Sequence, residues 1–166
     1  MRRPIIAGNW KMNKDQNEAA ELAKALIPLV RDSKDVDVVV APTFTSIGAV
    51  ASAIRGSNIG LSAQNCYWED SGAFTGEISV PMLKAAGCQY CIIGHSERRQ
   101  FFGETDEKIN KKAQALYKHG LTPIICVGEM LEEREAGKME QVISTQVRGC
   151  LAGLPADRVK ASVLAY

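Results

Sequence analysis

Long apolar runs are absent. None approaches the roughly 18 residues that a membrane-crossing helix needs. The opening "MRRPIIAGNW" has its apolar stretch broken at Gly8 and Asn9, so it does not read as a signal peptide. A surplus of charge is missing as well. The 20 Lys and Arg nearly cancel the 19 Asp and Glu, leaving a net charge of +1. No general attraction to nucleic acid or to an anionic membrane is expected from that balance. Glycine-rich phosphate loops are lacking: the chain has no GxGxxG after its first strand-like run and no GxxxxGK[ST]. Metal-ligand spacing is incomplete, because Cys88 and Cys91 form one CxxC with no second CxxC or HxxxH to match it. The five cysteines are odd in number, which argues against a disulfide scaffold and for buried thiols. A cytoplasmic protein with no metal and no organic cofactor is the expectation.

What is present reads as one folded domain over residues 1–166, with ordinary hydrophobic (46%) and charged (23%) content and no linker or low-complexity tract. Six apolar runs recur: "PIIAGNW", "VDVVVAPT", "NIGLSAQN", "CQYCIIGHS", "LTPIICVGE" and "SVLAY". Near-continuous Val/Ile/Leu/Cys runs mark strands buried on both faces, as parallel sheets produce. The last nine residues, "RVKASVLAY", alternate like a strand from Val159 onward. Between the runs lie helical patterns. Ala19, Leu22, Ala23, Leu26, Ile27 and Val30 share one face, and Ile109, Ala113, Leu116 and Tyr117 share another. The second has Thr105 as its N-cap, Asp106 and Glu107 in its first turn, and Lys118, His119 and Gly120 at its end. "SVPMLKAAG" is a short helix closed by Gly87, and Glu129 to Leu151 is mostly helical with a break at Gly137. Alternating strands and helices demand an α/β fold with a parallel sheet, either doubly wound or a (β/α) barrel.

Both architectures place chemistry beyond the carboxyl ends of the strands. Those ends carry Asn9 and Lys11, Thr43 and Thr45, Gln64 and Asn65, His95, Ser96 and Glu97, Gly128 and Glu129, and Tyr166. A barrel brings polar groups from several strands to one centre, whereas an open sheet uses mainly its switch point, and this favours the barrel. Each residue also has a plainer reading: His95 as a core histidine satisfied by backbone, Lys11 as a surface cation, Asn9 as a turn former, Glu97 as a first-turn helix acid. Arg98 and Arg99 with Glu104 read as an ion network holding the loop after strand four, and His119 as a helix C-terminal cation only. The loop "CYWEDSGAFTGEIS" carries Tyr67, Trp68 and Phe74, and exposed loop aromatics favour an interface.

"AGNWKMN" and "CIIGHSERRQFFGETDE", with "VAPTFT", "SAQNCYWEDSGAFTGEIS" and "GLTPIICVGE" in the same order, resemble the signature segments of the triosephosphate isomerase family. The resemblance runs the whole length of the chain. It implies a (β/α)8 TIM barrel, here limited to about six strands and five helical connections. It implies interconversion of dihydroxyacetone phosphate and glyceraldehyde 3-phosphate through an enediol. His95 is then the electrophile, Lys11 and Asn9 bind substrate, and Glu97 pairs with the lysine. Ser96 and Cys126 support the site from behind. Phe74, Thr75, Gly76 and Glu77 belong to a 65–79 loop that makes a homodimer by reaching the partner's Asn9 and His95. The general base would directly follow Tyr166, with two further strands and the phosphate loops beyond it. Residues 1–166 alone are therefore expected to be inactive unless a complementary C-terminal chain joins them. A non-catalytic assembly fragment and a different phosphate-handling barrel enzyme are the alternatives.

Overall fold

The computed structural model describes residues 3–166; Met1 and Arg2, the charged start of the opening segment, lie outside them. Six strands form one sheet: β1 (Ile5–Asn9), β2 (Asp37–Ala41), β3 (Ile59–Ala63), β4 (Tyr90–Ile93), β5 (Thr122–Cys126) and β6 (Val163–Ala165). Every pairing is parallel, and the spatial order β1-β2-β3-β4-β5-β6 is the chain order. A doubly wound sheet reverses its strand order at a switch point. Here the order never reverses, which is the progression of a barrel.

Five connections hold eight α-helices and a 3₁₀ turn at Phe44–Ser46. They are α1 (Gln16–Val30), α2 (Ile47–Ala53), α3 (Val80–Ala85), α4 (Ser96–Phe102), α5 (Asp106–His119), α6 (Leu131–Glu135), α7 (Met139–Leu151) and α8 (Ala156–Ala161). Their ends follow local chemistry. The Asp15 carboxylate accepts from the amides of Asn17 and Glu18, while Glu18 reaches back to the Asp15 amide, completing a capping box. Thr105 caps α5 through the Lys108 amide, and Gly120 closes it at φ +77°, a conformation that only glycine adopts freely. The expected break inside 129–151 is Gly137, between α6 and α7.

One expectation fails at the end of the chain. Val159 and Ala161 are helical, in α8, and the strand begins only at Val163. Pro155 stands in extended backbone just before the helix, where its missing N–H costs no intrahelical bond. Asp157 in the first turn and Arg158 and Lys160 in the last complement the helix dipole. In six residues those end effects outweigh the two-residue alternation.

The sheet separates two apolar layers. On the helix side Val40, Leu61, Cys91, Ile93 and Ile125 pack against Ala19, Ala23, Val50, Leu83, Ile109, Ala113 and Leu116. On the inner side Ala41, Ile92 and Ile124 gather with Ile5, Cys126 and Val163. Alternate residues of β4 and β5 thus serve opposite faces, which is why these strands are apolar throughout. The edge strands are barer: Ile6 is 66% exposed and Leu164 51%. Among the described residues no helix is long and apolar enough to cross a membrane.

Helices α5 and α7 approach closely at Gly149, where an added Cβ would stand 2.7 Å from the Cβ of Asp106. Alanine in place of a helical glycine ordinarily gains about 1 kcal/mol. Overpacking costs roughly 1–3 kcal/mol. The steric term wins at this contact, so Gly149→Ala is expected to lower the urea unfolding midpoint. A raised midpoint would show that the two helices separate without penalty.

Candidate active site

At the tip of β1 the chain turns through Asn9, Trp10 and Lys11. Lys11 adopts φ +53°, uncommon for a residue with a Cβ. Three contacts hold it there. Its amide donates to Asn9 Oδ1 at 3.0 Å, its carbonyl accepts from Gln64 Nε2 at 2.8 Å, and its Nζ lies 2.8 Å from Glu97 Oε1. The Gln64 amide also donates to the Ala41 carbonyl at 2.8 Å. One side chain at the tip of β3 thereby buckles the tips of β1 and β2 together.

At the tip of β4, Gly94 takes φ +72°, and His95 caps α4. A Cβ on Gly94 would meet Ile109 Cδ1 at 2.8 Å, so both conformation and space require glycine. The Glu97 amide donates to His95 Nδ1 at 3.3 Å, and Glu97 Oε2 stands 3.5 Å from the same nitrogen. An amide cannot change its role, so Nδ1 must offer a lone pair, and the ring proton sits on Nε2. The Glu97 carboxylate is held below its ordinary value chiefly by the Lys11 ammonium, so it stays charged beside that cation.

Asn9, Lys11, Gln64, Asn65, His95 and Glu97 line one cleft of about 530 Å³, with Met12, Phe44, Phe101 and Phe102 as an apolar rim. Within that wall Asn9 Oδ1 and His95 Nδ1 are engaged with backbone amides, while among the described residues no hydrogen bond uses Asn9 Nδ2 or His95 Nε2. Donors point outward from a scaffold that holds them by their acceptors. Among the described residues lining the cleft, Glu97 is the one carboxylate.

Behind the cleft lies a buried ion cluster. Glu104 Oε2 accepts from the Gly94 amide at 2.9 Å. Its Oε1 accepts from Arg98 Nε at 3.2 Å and from Lys112. Lys112 also donates to Asn65 Oδ1 at 2.7 Å. Glu104, Lys112 and Asn65 are all buried. Burial opposes the charge on Glu104, but Lys112 and then Arg98 outweigh it and hold the carboxyl below the ordinary 4.5.

The other expected positions fall around this centre. Ser96 is exposed at the first position of α4. Cys126 ends β5 on the inner face, its thiol pushed up to about 11 by burial, and burial likewise puts Cys88 at about 12. Phe74, Thr75, Gly76 and Glu77 stand exposed at the tip of the 65–79 loop, away from the cleft. That loop is braced by stacking of Tyr67 on Trp68 at 4.1 Å and by a tilted contact of the Phe74 ring with Tyr67 at 4.7 Å. Thr43 turns to Thr45 and Ser46, and the Tyr166 hydroxyl donates to Glu129 and accepts from Arg134.

Two readings need correction. Arg99 joins Asp106, at 2.6 Å, and not Glu104, whose second cation is Lys112. His119 is more than a helix-end cation, because its Nε2 meets Asp70 Oδ1 at 2.7 Å and ties α5 to the 65–79 loop. Sequence reasoning placed Gln64 and Asn65 at a strand tip without seeing that they lace it together, and it missed Lys112 altogether. A signal existed: Lys112 lies three residues after Ile109, on the apolar face of its helix.

A parallel sheet wound in one direction, with polar donors gathered at its strand tips, defines the carboxyl-end face of a (β/α) barrel. A sequence model of the triosephosphate isomerase family matches residues 4–166. Triosephosphate isomerases of Geotalea uraniireducens and Geobacter metallireducens are 51% and 55% identical over all 166 residues, which cover 100% of this chain and 66% of theirs. The structure of triosephosphate isomerase from Bartonella henselae superposes with a TM-score of 0.91 at 38% identity, covering 99% of this chain and 68% of that one. The chain belongs to the triosephosphate isomerase family and spans 66% of the length of these curated relatives. Among the described residues no group of three or more His, Cys, Asp or Glu is gathered as metal ligands would be.

Glu104 supplies a pH test. Its folded-state pKa lies below its unfolded one, so its stabilisation is complete above the unfolded value and lost as pH falls through the folded one. Stability should decline from about pH 4.5 downward, read by urea unfolding at several pH values. Glu104→Gln should remove part of that slope and, by stranding Lys112, cost about 3–5 kcal/mol at pH 7. An unchanged slope would assign the acid sensitivity to other carboxylates.

Proposed function

We propose that this chain forms the substrate-holding and carbonyl-polarising part of a triose-phosphate isomerase, which interconverts dihydroxyacetone phosphate and glyceraldehyde 3-phosphate. The observation that carries this reading is the set of groups gathered at one cleft: Asn9 Nδ2 and His95 Nε2, which enter no hydrogen bond among the described residues, and beside them the Lys11 ammonium, paired with Glu97. Moving a proton between adjacent carbons builds negative charge on the substrate oxygens. Preorganised donors and one cation at the cleft stabilise that charge. His95 polarises the carbonyl as a neutral donor and returns to the same state after the proton has moved. Asn9 orients the substrate, and Lys11 offsets the charge of phosphate and enediolate.

Abstraction of the carbon-bound proton needs a base that this cleft does not offer, since its carboxylate, Glu97, is paired with Lys11. We assign the base, together with the phosphate loops, to the remaining third of the relatives' length; residues 1–166 are then one incomplete domain, inactive alone. The exposed 74–77 tip and the apolar rim of Met12, Phe44, Phe101 and Phe102 favour a homodimer in which each loop enters the neighbour's cleft. Cys126 shapes the pocket of that base, and Ser96 supports the site as His95's neighbour in the chain. A soluble cytoplasmic enzyme fits this reading.

The test is isomerase turnover of the protein as the cell makes it, followed in both directions. His95→Gln should lower kcat about 10²–10³-fold, the usual loss for one oxyanion donor. Lys11→Met should raise KM as well. A wild-type protein that leaves both triose phosphates unchanged would overturn the proposal.

A further inference from the structure

Arg99 is mostly buried on α4, and every nitrogen of its guanidinium is used. Nε donates to the Gly94 carbonyl at 2.9 Å, NH1 to Asp106 Oδ1 at 2.6 Å, and NH2 to the Cys126 carbonyl at 3.3 Å, with Cys150 Sγ at 3.4 Å from NH2. The two carbonyls have a particular place in the fold. The β4–β5 ladder ends at the pair Ile93–Ile125, so Gly94 and Cys126 are the next residue on each strand, where direct pairing has stopped. Arg99 spans them. Gly94 is thus gripped from both sides, its amide by Glu104 and its carbonyl by Arg99, and the following residue is His95.

The far end of the clamp reaches further. Cys126 is paired with Ala165 of β6, and the Val127 amide donates to the Ala165 carbonyl at 2.9 Å. One planar cation therefore connects the tip that bears His95 to the tips of β5 and β6. Asp106, at the start of α5, anchors it from outside.

We infer that Arg99 is a positioning residue that replaces the missing rung between β4 and β5 and holds the His95 imidazole in register with the tips of β5 and β6. This rests on the isomerase reading above. Arg99 touches no cleft atom of that site, and its effect passes through the Gly94 peptide. The rigid fork suits three acceptors in different directions, which a lysine ammonium on a flexible stem cannot reach together. A displacement of about 1 Å at a reacting group can cost 10²-fold in rate.

The experiment compares wild type, Arg99→Lys and Asp106→Asn in the protein as the cell makes it. Turnover is measured alongside the ¹⁵N resonances of histidine-labelled protein. Of the two histidines in residues 1–166, His119 serves as the internal reference. Arg99→Lys should lower kcat about 10–10²-fold, change KM less than threefold, and shift the His95 ring nitrogens while those of His119 stay in place. Asp106→Asn, which keeps the shape and weakens the anchor, should move kcat and the His95 signals the same way by a smaller amount. It decides the matter if Arg99→Lys does not fold. Folded variants with unchanged kcat and unmoved His95 signals would overturn the inference. An inactive wild type would sink the isomerase reading instead, and the His95 resonances would still report whether Arg99 positions that ring.

Discussion

The carboxylate of Glu104 is buried with two cations and one backbone amide around it, and the strand tips are arranged about that charge. A carboxylate taken out of water is tolerable only when its lone pairs are filled and its charge is balanced. Glu104 meets both conditions by drawing in groups from four places: Gly94 at the end of β4, Arg98 on α4, Lys112 on α5 and, through Lys112, Asn65 after β3. A shift of Arg98 or Lys112 takes a countercharge from a buried carboxylate, and a shift of Gly94 or Asn65 leaves a buried charged group short of a hydrogen bond. The left-handed turn at Gly94 persists because its amide and its carbonyl are each committed to an ionised side chain.

The cleft in front follows a consistent rule. Side chains are held by one polar atom, almost always through backbone, and the other atom faces the opening. Asn9 gives its oxygen to the Lys11 amide, His95 gives Nδ1 to the Glu97 amide, and Gln64 spends its amide on two carbonyls. Backbone groups do not titrate, so the backbone side of these three anchors is not itself lost to a proton, whereas Lys11 and Glu97 hold each other by charge. Such preorganisation gives electrostatic stabilisation its advantage over water, whose dipoles must reorient.

Much of this was legible in the residues. Near-continuous apolar runs separated by helical periodicity identify a parallel α/β sheet, and the polar residues closing those runs mark the face where chemistry sits. The caps at Thr105, Gly120 and Gly87 are local features, readable because the atoms involved lie within a few positions of one another. Long-range pairing is not readable in that way. Arg99 and Glu104 are close in sequence and of opposite charge, yet the Arg99 fork matches Asp106 and two carbonyls, leaving Glu104 to Lys112. His119 finds Asp70 from 49 positions away, which no spacing rule anticipates. At "RVKAS" a two-residue alternation and a short helix were both compatible with the letters, and the end chemistry of Pro155 and Asp157 decided for the helix.

Strand order that matches chain order has a consequence for how the molecule is made. Each strand after the first pairs with the one delivered before it, so its partner is already in place when it leaves the ribosome. The search is short at every step, and the loop to be closed is one crossover long and does not grow with the chain. A vectorial assembly of this kind adds one layer at a time. At each stage the newest strand is the leading edge for the next segment, or for a chaperone, to cover, while β1 keeps the opposite edge open.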